Sequence, residues 1–218
     1  MRVSRNYMSA MLGISNKKTS SKRRMMDRLN KTGTNRFLST QAANKTGSTQ
    51  ANYMNMKNNA GELQSIASKL IDTGEDSLFA KAKESNDTTA ITKQVKEFVN
   101  KYNGVVRNLR NGGSRVDNSY LNQLNANASM YRSALQATGV TKNTDGTLSV
   151  NDKTLSAASV DQLQKAWGGT SSFAAKTGSA AVNVGSNAVS GLNGLVANSY
   201  SNLLRSFGTR GNYFNFWS

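Results

Sequence analysis

The sequence has no cysteine, no histidine and no proline among its 218 residues. Without cysteine there are no disulfide staples, no thiolate nucleophile and no thiolate zinc site. Without histidine the commonest general base and metal ligand is missing. Background usage would place about ten prolines in a chain of this length. Their absence suits long uninterrupted helices, because proline costs about 3 kcal/mol in a helix interior. Acids are scarce too, twelve against 28 lysines and arginines, and they are scattered along the chain. No phosphate-cradling G-x-x-x-x-G-K-[ST], no dinucleotide G-x-G-x-x-G and no nucleophile elbow occurs. These absences argue against an enzyme and against any cofactor or small-molecule substrate. No apolar run approaches the ~20 residues that span a bilayer. Tyr7–Ile14 is too short and broken to be the core of a cleaved signal peptide.

Hydrophobic residues make up 37% of the chain, with Asn, Ser, Thr, Gly and Ala filling much of the rest. Such a composition buries a narrow apolar seam more easily than a thick core, and seams suit bundles and coiled coils. The expected fold is therefore mainly α: an elongated helical bundle or coiled-coil hairpin with one short β-turn element and a flexible basic N-terminal arm.

The net charge of +16 is concentrated at the N-terminus, where residues 1–50 carry eleven basic side chains against the single acid Asp27. An arm of this kind suits an acidic partner, nucleic acid or an anionic lipid surface. It equally describes a solvated tail. It lacks the interleaved aromatics of a base-stacking platform.

Periodicity begins at residue 51. Met56, Ala60, Leu63, Ala67 and Leu70 recur at steps of four and three, which places them on one helical stripe. Thr73-Gly74 ends that helix, and residues 73–88 read as a polar connection. Over about Thr88 to Arg110, Ile91, Val95, Phe98, Tyr102, Val105 and Leu109 repeat the pattern, until Asn111-Gly112-Gly113 breaks it. A third helix, from about Asp117 to Thr138, carries Leu121, Leu124, Ala128, Tyr131 and Leu135. The packing seam is assigned to Met56, Leu63, Leu70, Ile91, Val95, Phe98, Tyr102, Val105, Leu109, Leu124, Tyr131 and Leu135.

The run Thr141 to Asp152 imitates a calcium-binding loop at several positions. Thr141 stands where an acid is needed first, Lys142 adds a positive charge, and Asp152 replaces the usual bidentate glutamate. A turn with Asp145-Gly146 at its tip and a short strand after it accounts for the same residues. No metal site is assigned. A small helix through Leu163 follows, and Trp167-Gly168-Gly169 reads as a break.

The last helix, about Ser171 to Phe207, keeps a seven-residue rhythm through Val182, Val189, Leu192, Val196, Tyr200, Leu203 and Phe207. Its interspersed glycines each cost about 1 kcal/mol relative to alanine, so it needs a close-packed neighbour. The tail 208–218 ends in Tyr213-Phe214-Asn215-Phe216-Trp217. Partner contact is expected at Val189, Val196, Tyr200, Phe214, Phe216 and Trp217. The implied organisation is a basic arm 1–50 and a helical stalk 51–167 with a β/turn insert near 140–155. A Gly/Ala-rich helix 168–207 and an aromatic tail 208–218 follow.

The stretch Ile91-Thr-Lys-Gln-Val95-Lys-Glu-Phe98-Val99-Asn-Lys-Tyr102-Asn103-Gly-Val-Val106 resembles a helix of the flagellar filament-cap, or hook-associated protein 2, family. Asp145-Gly146-Thr147-Leu148-Ser149 and Trp167-Gly168-Gly169 with Phe173-Ala174 resemble that family's turn and its break before the last helix, in the same order over residues 50–207. The large β-rich domains of that family have no room here, so the resemblance implies a stalk-only relative. It further implies export to the bacterial flagellum without a cleaved signal, and assembly with itself or with other flagellar axial proteins. The competing expectation is a cytoplasmic basic helical protein that binds nucleic acid or an anionic membrane surface.

Overall fold

The structure of the protein, a computed structural model, describes residues 46–208, with the backbone alone at 199, 200 and 202–208. Residues 1–45 of the basic arm, Phe214, Phe216, Trp217 and the side chain of Tyr200 therefore lie outside the described residues, while residues 46–50, expected to end that arm, form the start of the first helix. The fold is mainly α, with one small two-stranded antiparallel sheet. The described residues from Thr49 onward belong to one compact unit. The elements in order are α1 (46–71), α2 (Leu78–Ser85), α3 (Thr89–Gly112), α4 (Arg115–Met130), α5 (Arg132–Ala137), β1 (Val140–Lys142), β2 (Leu148–Val150), α6 (Asp152–Ala157), α7 (Val160–Trp167) and α8 (Phe173–Gly208).

Within this unit, α1, α3, α4 and α8 form a four-helix bundle in which each helix runs antiparallel to both neighbours. The order of contacts along each pair establishes this. From Glu62 back to Asn52 on α1, the α3 partners advance from Lys101 to Asn108. Along α4 from Asp117 to Asn127, the α8 partners retreat from Asn187 to Lys176. Tyr53, Ala60 and Ala67 of α1 lie against Gly191, Gly185 and Gly178 of α8 in turn, which closes the ring. The final helix thus returns alongside the first.

The seam read from the sequence lies on the inner face of this bundle, except for Tyr131 and Leu135, which follow α4. Met56, Leu63, Leu70, Ile91, Val95, Phe98, Tyr102, Val105, Leu109, Leu124 and Leu135 are all buried, while Tyr131 is partly buried against the same core. Tight turning between α3 and α4 depends on Gly113, whose φ of 64° is left-handed and whose N–H donates to Leu109 O. Ser114 then starts α4 by a capping box: its hydroxyl accepts from Asp117 N–H, and its own N–H donates to the Asp117 carboxylate.

Four local expectations are corrected. The connection 73–88 contains α2, which buries Phe79 and Ala82 and is capped by Ser77. The third helix starts at Arg115, because Asp117 is its capping-box residue rather than its first. It is also interrupted at Tyr131, and α5 follows. The small helix through Leu163 is two helices, α6 and α7, the second opened by a Ser159–Gln162 capping box. Finally, Trp167 is more than a break: it is fully buried at the end of α7, with its indole N–H donating to Thr138 Oγ1 at 3.2 Å. Tertiary burial of single large side chains created these elements, and periodicity over short windows does not register it.

The helices α2, α5 and α7 gather at one end of the bundle, while the hairpin runs along α3 from Asn103, bonded to Leu148, to Arg110, which faces Asp145. Trp167, Phe98 and Phe173 meet edge to face with ring centroids 5.3–5.7 Å apart, and Tyr102 and Tyr131 tilt onto Phe173. Such pairs are worth about 0.5–1.5 kcal/mol each beyond the area they bury. This cluster anchors the start of α8 against α3 and α7. Residues 141–152 form the expected turn: β1 and β2 pair antiparallel, Val140 with Val150 and Lys142 with Leu148, around a loop held by Asp145.

Candidate functional site

The residues that hold α8 in place determine which of its faces remains for a partner. One face is small. A Cβ at Gly178 would lie 2.7 Å from the Ala67 Cβ, so only glycine lets the two backbones approach this closely. The glycines that weaken α8 as an isolated helix are in part the ones that dock it. Ala174, Thr177, Ala180, Ala181, Val184 and Ala188 complete the buried face. Asn187 Nδ2 donates to the fully buried carboxylate of Asp117 at 3.1 Å, beside the α3–α4 turn.

Polar pairing continues on the α1–α3 side. Asn52 and Asn108 exchange two hydrogen bonds, Nδ2 to backbone O and Nδ2 to Oδ1, both 3.0 Å, and Asn59 Nδ2 reaches Asn108 Oδ1 at 2.9 Å. Partly buried amide pairs of this kind fix the register of adjoining helices, since a shift would leave them unpaired. In an Asn-rich chain nothing in the sequence marks these three out, because their value depends on being opposite one another.

The outer face of α8 is different. Val182, Val189 and Val196 are exposed by 44%, 40% and 51%, at seven-residue steps on one stripe. The expected contact residues Val189 and Val196 thus lie on the surface, and Val182 joins them. Past Gly191, which packs on the Tyr53 ring, none of the residues 192–198 is buried. Single exposed valines are ordinary on a protein surface; three in register on a helix face are the mark of a seam. From Thr177 to Leu204 α8 carries no charged residue.

Among the described residues the remaining surface offers little chemistry. Open grooves of about 390 and 400 Å³ are lined by Lys69, Asp72, Asp76 and Lys93, and by Lys83, Asn86, Ser159 and Asp161. Asp76 is paired with Lys81 at 3.0 Å. Neither groove places a nucleophile beside a base. Among the described residues no group of acids could hold a metal ion, and no helix is long and apolar enough to cross a membrane. In the hairpin, the Asp145 carboxylate is held below its usual range by hydrogen bonds from the Thr147 hydroxyl and N–H. Oδ1 accepts both bonds, while Oδ2 faces the Arg110 guanidinium of α3 at 3.9 Å. Burial pushes the Tyr102 phenol well above its ordinary value.

No family model, curated protein or solved structure matches the chain at a significant level.

Proposed function

We propose that the protein is a non-enzymatic structural protein, hook-associated or cap-like, that assembles in the bacterial flagellum through helical packing. The observation that carries this reading is the exposed, uncharged valine stripe on α8, a helix whose opposite face is buried in the bundle. The resemblance of residues 91–106, 145–152 and 167–174 to the filament-cap stalk supplies the flagellar part. Export without a cleaved signal and association with axial proteins follow from that resemblance. Comparing culture medium and cells of strains with and without a working flagellar export apparatus tests it. Export-dependent appearance in the medium or filament fraction is expected, and retention in both strains would overturn the flagellar reading.

A second reading rests on the eleven basic residues against one acid in residues 1–50. There the arm binds nucleic acid or anionic lipid, and affinity falls steeply with salt. Full-length protein that shifts neither RNA, DNA nor anionic vesicles at low salt would remove it.

A further inference from the structure

We propose that the end of the bundle carrying the α3–α4 turn docks the phosphate backbone of a nucleic acid, with Arg107, Arg110 and Arg115 as the folded part of the site. This rests on the second reading above, selects nucleic acid as the partner and adds a contact surface outside the arm. All three arginines are exposed, two on the last turns of α3 and one on the first turn of α4. Among the described residues Arg107 and Arg115 form no ion pair, and Arg110 stands 3.9 Å from Asp145. Asp117, the acid that opens α4, is fully buried and bonded to Ser114 and Asn187. The acids of residues 72–97 and 152–161 belong to the other half of the bundle, interleaved with lysines.

Connectivity concentrates positive charge at this end. Because α1 and α8 are antiparallel, the chain enters α1 and leaves α8 at the end that carries the α3–α4 turn. The arm and its eleven basic residues join the bundle there through residue 46, and after Asp161 the sequence has no acid, while Arg205 and Arg210 still follow. Such a concentration of one sign calls for a polyanion. Reach decides between a nucleic acid and an anionic membrane. Asn52 pairs with Asn108 and Tyr53 packs on Gly191, which sets the arginines level with Gly191. From there α8 continues to Gly208, roughly 25 Å at 1.5 Å per residue. A flat surface approaching this end meets α8 first and stays about that far from the arginines, well beyond the Debye length of about 8 Å at physiological salt. A thread-like polyanion passes beside α8 and reaches them. The planar arginine fork pairs with phosphate oxygens. Without interleaved aromatics in the arm, the contact is to the backbone and independent of base sequence.

Fluorescence anisotropy of the full-length protein with a labelled RNA and a labelled DNA duplex, over a salt series, tests this. Wild type is expected to bind with log K falling linearly with log salt. Combining Arg107→Gln, Arg110→Gln and Arg115→Gln should lower the affinity at least about tenfold and reduce that slope by about 2–3, or about 0.7–0.9 for each lost phosphate contact. Combining Lys83→Gln, Lys153→Gln and Lys165→Gln removes the same charge from exposed positions of the other half and should leave affinity and slope near wild type. Circular dichroism of each variant checks that the bundle is intact. An arginine variant that behaves like the lysine control would overturn the proposal and leave the arm as the whole site. Tighter binding to phosphatidylserine vesicles than to either nucleic acid would overturn it as well. Wild-type protein that binds none of the three at low salt would remove the second reading and this proposal with it, an outcome distinct from loss of the arginine effect alone.

Discussion

Asn103 holds the β-hairpin to α3 by pairing both polar atoms of its side-chain amide with the backbone of one residue, Leu148. Its Nδ2 donates to Leu148 O at 2.8 Å, and its Oδ1 accepts from Leu148 N–H at 2.7 Å. Thr147 and Ser149 face the partner strand or the turn, while Leu148 N–H and C=O point outward along the free edge of β2. The amide of Asn103 therefore takes the place of a third strand. Asn103→Ala should cost about 1–3 kcal/mol, because it leaves two backbone groups without partners. Faster hydrogen exchange at the Leu148 amide, with α3 still protected, is the expected signature.

Gly178 and Gly194 sit on the same helix and should respond oppositely to alanine. At Gly178 the added methyl collides with Ala67, so the α1–α8 spacing must open. Gly178→Ala should destabilise by about 1–3 kcal/mol despite the better helix propensity. Gly194→Ala meets open space and should stabilise by up to about 1 kcal/mol. Thermal unfolding of the two variants reads both signs; stabilisation by Gly178→Ala would contradict the close packing.

Thr177 is fully buried on α8, and its hydroxyl has no hydrogen-bond partner. A hydroxyl in this state carries its desolvation cost without return. Thr177→Val keeps the shape and removes the cost, so a gain of about 1 kcal/mol is expected. In a chain of this size that raises Tm by about 2–4 °C.

Alkaline pH should unfold the bundle through Tyr102. Its phenol is raised by burial, and its hydroxyl donates to Leu124 O at 3.3 Å. In the unfolded chain it titrates near 10. The stability linked to this group is complete below that value. It falls as pH rises toward the folded-state value, because the unfolded state releases its proton first. Urea titrations of wild type and Tyr102→Phe above pH 10 should diverge, with the variant losing less stability.

Acid acts at the hairpin tip. Thr147 holds the Asp145 carboxyl below its ordinary range, so the turn is supported above the unfolded value near 3.9 and loosens as pH falls through the folded one. Thr147→Val removes the hydroxyl donor and should raise the Asp145 midpoint, measurable from its carboxyl resonance.

The helices of the bundle were legible because each commits apolar residues to one stripe. Ile91 to Leu109 steps by four and three without a fault, and all six positions are buried. Gly113 marked the end of α3 for a reason local to the backbone, its left-handed φ. Elements that depend on one or two large side chains were not legible. Phe79 makes α2 a helix against α7, and Trp167 completes a cluster with Phe98 and Phe173, residues far apart in sequence.

The valine stripe lies between these cases. The seven-residue rhythm of Val182, Val189 and Val196 is present in the sequence, yet the same rhythm describes a buried seam. Only the packing of α8 against α1 and α4 decided that these three face outward.

By itself the sequence determined the class of the protein: mainly helical, without cysteine or histidine, and strongly basic at one end. Those are properties of composition and local period. The tertiary structure decided that α8 closes a four-helix ring by lying antiparallel to α1, and which of its faces is left exposed. That choice follows from the close approach of Gly178 to Ala67 and the pairing of Asp117 with Asn187, contacts that exist only once the helices are side by side.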